Sequence, residues 1–233
     1  MSARSKKVKV WLRTRPTSAF AHDMIDLQQD GKTINIHSPR DMRRGVVNNQ
    51  VLDWSFKMDG ILHNASQEHM YGTVCKDIVS SALEGYNGTL MAYGQTGAGK
   101  TFTMTGATEN YKHRGLIPRA IAQLFREIDD KPDQAITVRI SHLEIYNETM
   151  FDLLSTMNSG QDGGAGEAMS PQHMTVVEDE HGCYVKGLSC HLAQNEEEAL
   201  NLLFEGETNR AIATHTLNKM SSRSHCIFTA YIE

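Results

Sequence analysis

Gly94-Gln95-Thr96-Gly97-Ala98-Gly99-Lys100-Thr101 fits the phosphate-cradling pattern G-x-x-x-x-G-K-[ST] without a gap. Each residue type answers a physical demand. The glycines let the backbone wrap closely, so that several N–H groups face phosphate oxygens. Lys100 brings a point charge to the β- and γ-phosphates, and the Thr101 hydroxyl is a ligand for Mg²⁺. A helix expected to begin at about Lys100 adds its positive N-terminal end to the same spot. Immediately upstream, Thr89-Leu90-Met91-Ala92-Tyr93 is a short apolar run that suits a buried strand. A strand–loop–helix setting separates a nucleotide site from a glycine-rich turn that binds nothing.

Outward from the loop, strands and helices alternate. Val8-Lys9-Val10-Trp11-Leu12-Arg13 alternates polar and apolar residues and reads as a first strand. Asp30-Gly31-Lys32 reads as a hairpin turn into the strand Thr33-Ile34-Asn35-Ile36. Asn64-Ala65-Ser66-Gln67 has the capping-box form, and Tyr71, Val74, Cys75, Ile78, Val79 and Ala82 then share one helical face. A further helix is expected over 116–129, with Pro118 in its first turn. Residues 135–146 are rich in β-branched side chains and read as a long strand. Residues 155–172, glycine-rich, read as a loop. Asn195 and Glu198 cap another helix, whose buried side is Leu202, Leu203 and Phe204. Residues 209–225 read as polar and irregular, and 226–232 as a last strand. This order implies an α/β fold, a mixed β-sheet with helices on both faces.

Composition narrows the function. The 233 residues are enough for a substantial core, and 39% hydrophobic with 22% charged is ordinary for a globular chain. A net charge of -5 argues against a dedicated nucleic-acid partner. No apolar run reaches the length of a membrane span, and no apolar signal segment opens the chain. Cys75, Cys183, Cys190 and Cys226 show no C-x-x-C pairing and read as reduced thiols in a cytosolic protein. Cys190-His191 is half of a zinc pattern, with no second ligand pair at suitable spacing.

A phosphate loop alone fits small-molecule kinases, GTPases, helicases and motors. Arg13-Thr14-Arg15-Pro16 places guanidinium planes and a proline ring where they could sandwich an adenine, although two arginines at a strand end are usually a solvated edge. Asn218-Lys219-Met220-Ser221-Ser222-Arg223-Ser224-His225 gathers hydroxyls, an amide and a guanidinium suited to sensing a γ-phosphate and Mg²⁺. An ordinary serine-rich turn is the bland alternative.

In this order and spacing, these three stretches closely resemble the kinesin motor domain. Leu143-Glu144-Ile145-Tyr146-Asn147-Glu148 with Asp152-Leu153-Leu154, and His113-Arg114-Gly115-Leu116-Ile117-Pro118-Arg119, match as well. The resemblance runs from about Val8 to the last residue. Arg43-Arg44-Gly45-Val46-Val47-Asn48-Asn49 and Asp53-Trp54-Ser55-Phe56 are most similar to the kinesin-9 class, which implies a cilium or flagellum. The fold so implied is a P-loop NTPase-type mixed central sheet with helices on both faces. The implied activity is a microtubule-dependent ATPase with ATP and Mg²⁺ as ligands and tubulin as partner.

Carried over residue by residue, the resemblance assigns Arg13, Arg15 and Pro16 to the adenine. Gly94, Gln95, Thr96, Gly97, Ala98, Gly99, Lys100 and Thr101 go to the phosphates, with Thr101 also on Mg²⁺. Phe102 falls beside the base. Asn218 and Ser221 face the γ-phosphate or attacking water, Ser222 faces Mg²⁺, and Arg223 bridges to a glutamate of the second switch. The region 146–177 lies on the implied tubulin side, yet no lysine occurs between Lys131 and Lys186. The family's second switch, Asp-x-x-Gly-x-Glu, does not occur in this sequence. The expectation is therefore the N-terminal part of a motor domain, with hydrolysis by these 233 residues alone crippled. A non-catalytic nucleotide- or tubulin-binding fragment is the alternative.

Overall fold

A computed structural model describes residues 7–38, 52–107, 110–155, 174–180, 182–216 and 224–233. They fall into two compact units, Met1–Val74 and Cys75–Glu233.

In the first unit, the alternating segment near the N-terminus yields a short β1 (Trp11–Arg13). It pairs in parallel with β5 (Gly60–Leu62), Trp11 opposite Gly60 and Arg13 opposite Leu62. Glycine at 60 lets the Trp11 ring lie close, since a Cβ there would be 2.1 Å from it. Beside this pair, β2 (Ile25–Leu27), β3 (Thr33–His37) and β4 (Asp53–Lys57) form an antiparallel sheet in chain order. The expected hairpin between β2 and β3 is present. Asp30 Oδ1 accepts the N–H groups of Lys32 at 2.9 Å and Thr33 at 2.8 Å, and its Oδ2 accepts the Thr33 hydroxyl at 2.7 Å. The helix α1 (Gln67–Val74) begins later than the expected box. Ser66 Oγ, not Asn64, accepts the first-turn N–H, that of His69, at 3.1 Å.

The second unit is built on β6 (Val138–Tyr146). One edge of β6 pairs antiparallel along its whole length with β11 (Ser224–Ile232), from Tyr146 opposite Ser224 to Val138 opposite Ile232. Its other edge carries β7 (Thr149–Asp152) and β10 (His191–Ala193), both antiparallel. Among the described residues the parallel pairing is confined to β1 and β5, and every other strand pairing is antiparallel. Two helices, α4 (Leu116–Asp129) and α5 (Glu196–Thr216), supply the core against β6. Ile121, Leu124 and Phe125 recur at helical spacing and meet Val138, Ile140, Leu200 and Leu203. Each buried Leu or Ile there contributes about 1.5–3 kcal/mol of transfer free energy. β8 (Thr175–Asp179) and β9 (Gly182–Lys186) form an antiparallel hairpin.

Two boundaries differ from the expectation. The single helical face anticipated over 71–82 is divided at Cys75, with α2 spanning Lys76–Leu83. Conversely, α5 continues through 209–216, where an irregular segment was expected. The polarity of that stretch serves tertiary partners rather than a loop: the Asn209 amide donates to the Leu153 carbonyl at 2.8 Å, and Arg210 reaches Glu144. Among the described residues, no helix is long and apolar enough to cross a membrane. The expected glycine-rich loop at 155–172 lies, beyond Ser155, outside the described residues.

Candidate functional site

The phosphate-pattern loop precedes a short helix, α3 (Lys100–Met104). Gly97 at φ 81° and Gly99 at φ 94° occupy the left-handed region, which side chains rarely adopt, so the loop depends on glycine at both. Gly99 is the N-cap, and its carbonyl accepts from both the Thr103 N–H and the Thr103 hydroxyl at 2.9 Å. Helix geometry leaves the first-turn amides, Lys100 and Thr101 among them, without an intrahelical acceptor. With α3 only five residues long, attraction for an anion comes from these local N–H dipoles rather than from a long macrodipole. Lys100 Nζ spans the loop, donating to the carbonyls of Gly94 at 2.7 Å and Gln95 at 2.9 Å. The positive charge is therefore held over the loop, whose residues 95–98, together with Thr101, face solvent.

The run expected to be a buried strand upstream is not one. No residue of 89–93 joins a ladder among the described residues, and Met91 and Tyr93 are 85% and 97% exposed. Apolar content alone did not decide burial here, because a strand also needs a neighbouring segment to take up its backbone hydrogen bonds.

Downstream, the end of α3 is locked to the turn at 113–115. The Gly115 N–H donates to the Thr105 carbonyl at 2.9 Å, and Gly106 bridges Arg114. This contact is backbone on backbone: a Cβ on Gly115 would lie 2.4 Å from the Met104 carbonyl oxygen. The same turn brings the His113 ring edge-on to Phe102, 6.2 Å between centroids. Phe102 remains partly exposed, which suits a stacking surface. Arg119, from α4, braces the turn by donating to the Arg114 carbonyl at 3.0 Å and lying over the Tyr111 ring.

The proposed adenine residues lie in the first unit. Arg13 belongs to β1, is half-buried, and donates to the Ala65 carbonyl at 3.4 Å; burial lowers its pKa from the ordinary value. Arg15 and Pro16 face solvent. Asn218, Ser221, Ser222 and Arg223 lie outside the described residues. Ser224 and His225, which follow them, open β11.

A polar cluster that motif reading did not single out lies under α5. Glu207 Oε1 accepts the Thr105 hydroxyl at 3.3 Å and stands 3.9 Å from His142 Nε2. Arg210 lies between carboxylates, 3.4 Å from Glu144 Oε1 and 3.8 Å from Glu207 Oε2, and donates to the Ser224 hydroxyl at 3.3 Å. His142 Nε2 and Cys226 Sγ are 3.1 Å apart. Burial pushes His142 down to about 4, raises Glu207, and pushes the Cys226 thiol up to about 12. The sequence held a faint signal: His142 and Glu144 share one face of a strand, and Glu207 and Arg210 sit three apart on a helix.

A sequence profile of the kinesin motor domain matches residues 13–233. The chain belongs to the kinesin motor family. It is 63% identical over 228 residues to the mouse kinesin-like protein KIF9 and 61% identical over 228 to the human one, 98% of this chain in each case. The Chlamydomonas reinhardtii kinesin-like protein KLP1 is 48% identical over 227 residues. The identities to the KIF9 proteins support the kinesin-9 resemblance. This kinesin chain spans 28% of the length of each of these three relatives. A solved structure described as that of a fast kinesin superposes with a TM-score of 0.79 at 32% identity, covering 97% of this chain and 59% of that one. The fold is therefore the P-loop NTPase-type kinesin motor fold.

Proposed function

We propose that this kinesin chain binds MgATP at residues 94–101 and serves, within the whole protein, a microtubule-dependent ATPase that drives movement along microtubules. The observation that supports the site best is the Lys100 ammonium held across the loop by the Gly94 and Gln95 carbonyls. In this reading the ammonium exchanges those carbonyls for β- and γ-phosphate oxygens. The amides from Gln95 to Thr101 cradle the chain of phosphates. Phe102 stacks beside the base, and Arg13, Arg15 and Pro16 sandwich the adenine.

The Thr101 hydroxyl is exposed in the first turn of α3, an oxygen donor of the kind Mg²⁺ accepts beside phosphate oxygens and water, so the residue fits the ion. Bound there, Mg²⁺ would neutralise charge on the transferring phosphate. Ser222 is the second donor in this assignment, with Asn218 and Ser221 toward the γ-phosphate and Arg223 toward a partner glutamate. Contacts that exist only with the triphosphate bias the switch, and through it the affinity for tubulin. The kinesin-9 resemblance adds a cilium or flagellum as the setting.

The test is co-sedimentation of the 233-residue chain with microtubules, with and without a nonhydrolysable ATP analogue, beside direct binding of a fluorescent ATP analogue. Nucleotide binding together with nucleotide-dependent pelleting supports the motor reading. Pelleting that ignores nucleotide, in a chain that binds no analogue, overturns it.

A further inference from the structure

The cluster beneath α5 has a composition the nucleotide reading does not need. His142 from β6, Glu207 from α5 and Cys226 from β11 point three different donor atoms at one place. Nε2, Oε1 and Sγ all lie within 4.8 Å of one another, with Nε2 to Sγ at 3.1 Å and Nε2 to Oε1 at 3.9 Å. Donors on one tetrahedral ion with bonds of 2.0–2.3 Å stand about 3.5 Å apart. The two distances from Nε2 bracket that figure, and Oε1 and Sγ lie within 4.8 Å of each other.

Two of the donors are held in place by their neighbours. The His142 ring is fully buried and fixed in place: a Cβ on Gly206 would come within 2.1 Å of Nδ1, and the Phe228 ring packs edge-on at 5.5 Å. Glu207 divides its oxygens, with Oε2 toward Arg210 and Oε1 toward His142. The guanidinium thus occupies the far oxygen, while the near one, which also accepts the Thr105 hydroxyl, faces His142. Among the described residues, Glu144 and Glu207 place two carboxylates beside the Arg210 guanidinium.

We infer that His142, Glu207 and Cys226 form a binding site for one divalent transition-metal ion of the zinc class, joining β6, α5 and β11. On binding, the Cys226 S–H bond breaks, its proton leaves to solvent, and a sulfur–metal bond forms. No electron changes hands. The ring proton of His142 then sits on Nδ1. A mixed nitrogen, sulfur and oxygen set suits Zn²⁺ or Co²⁺ rather than the Mg²⁺ of a phosphate site.

The experiment is titration of Co²⁺ into the chelator-treated 233-residue chain without nucleotide, so its result is independent of the nucleotide reading. The expected result is one equivalent bound, a sulfur-to-cobalt charge-transfer band, tetrahedral d–d bands in the visible, and displacement by Zn²⁺. Cys226→Ser should abolish the charge-transfer band and weaken binding at least about tenfold, and Cys190→Ser should not. Glu207→Gln retains an acceptor for Thr105 while removing the ligand charge, and should weaken binding similarly; it decides the matter if Cys226→Ser does not fold. A folded chain with no such bands at saturating Co²⁺ overturns the proposal. Bands that survive both Cys226→Ser and Glu207→Gln overturn it equally.

Discussion

The Gly115 N–H donates to the Thr105 carbonyl at 2.9 Å, closing the end of α3 onto the turn before α4. The contact leaves no room for a side chain, because a Cβ on Gly115 would meet backbone atoms of Met104 and Thr105. Gly115→Ala must therefore push one backbone away from the other. Such overpacking costs about 1–3 kcal/mol, which at this chain length lowers the melting temperature by about 2–12 °C. Gly72→Ala in α1, where a Cβ meets nothing within 4 Å, should leave the melting temperature unchanged or raise it. Equal losses from the two substitutions would discard the packing account.

Asn195 and Glu198 satisfy opposite ends of one capping arrangement. Asn195 Oδ1 accepts the Glu198 N–H at 2.9 Å, while Glu198 Oε2 accepts the Gln194 N–H at 2.8 Å. Because α5 carries Leu200, Leu202 and Leu203 into the core, fraying at its start loosens burial as well as the helix. Asn195→Ala should cost about 1 kcal/mol, read as a shift in the denaturant midpoint at unchanged slope. Asn195→Asp or Asn195→Ser should recover most of the loss.

The legible parts of this fold share one property: local sequence was enough to specify them. The helix at 116–129 matches its expected span because apolar spacing, Gly115 before it and Pro118 in its first turn all agree. The hairpin at Asp30 and the cap at Asn195 are settled by neighbouring residues in the same way. Residues 89–93 carry a strand's composition, but pairing is a relation to a distant segment and composition does not contain it. The continuation of α5 past 209 was hidden because Asn209 and Arg210 look like loop residues until Leu153 and Glu144 meet them. At the site, the loop 94–101 was legible from its glycines and Lys100. The cluster of His142, Glu207 and Cys226 was not, since those positions are brought together only by the packing of α5 over β6 and β11.

Asp30 accepts two backbone N–H groups and a hydroxyl, and these bonds to its charged form lower its pKa to about 2. The folded pKa lies below the unfolded value, so the contribution of this carboxylate to the turn is present above about pH 4. It is lost as pH falls through about 2. A side-chain carboxyl NMR titration should show Asp30 with a midpoint near about 2. A midpoint at the usual position for aspartate would mean that the turn bonds do not persist in solution. Asp30→Ala should loosen the hairpin between β2 and β3 at neutral pH, seen as faster amide exchange at Lys32 and Thr33.

Lys100 provides the most direct functional prediction. Its Nζ is held 2.7 Å from the Gly94 carbonyl oxygen, so the charge is pre-placed and little side-chain entropy remains to be lost on meeting a phosphate. Hydrogen bonds to charged groups contribute about 1.5–3 kcal/mol. Lys100→Ala should therefore weaken binding of a fluorescent ATP analogue by about tenfold to somewhat over a hundredfold. Lys100→Arg keeps the charge but replaces a compact ammonium by a broad planar fork, which the two converging carbonyls do not match. It should recover only part of the affinity. The loss should shrink for the diphosphate analogue relative to the triphosphate, because the ammonium serves both β- and γ-oxygens and only the triphosphate offers the second. Affinity unchanged in Lys100→Ala, in a variant whose melting temperature matches the parent, would remove residues 94–101 as the nucleotide site.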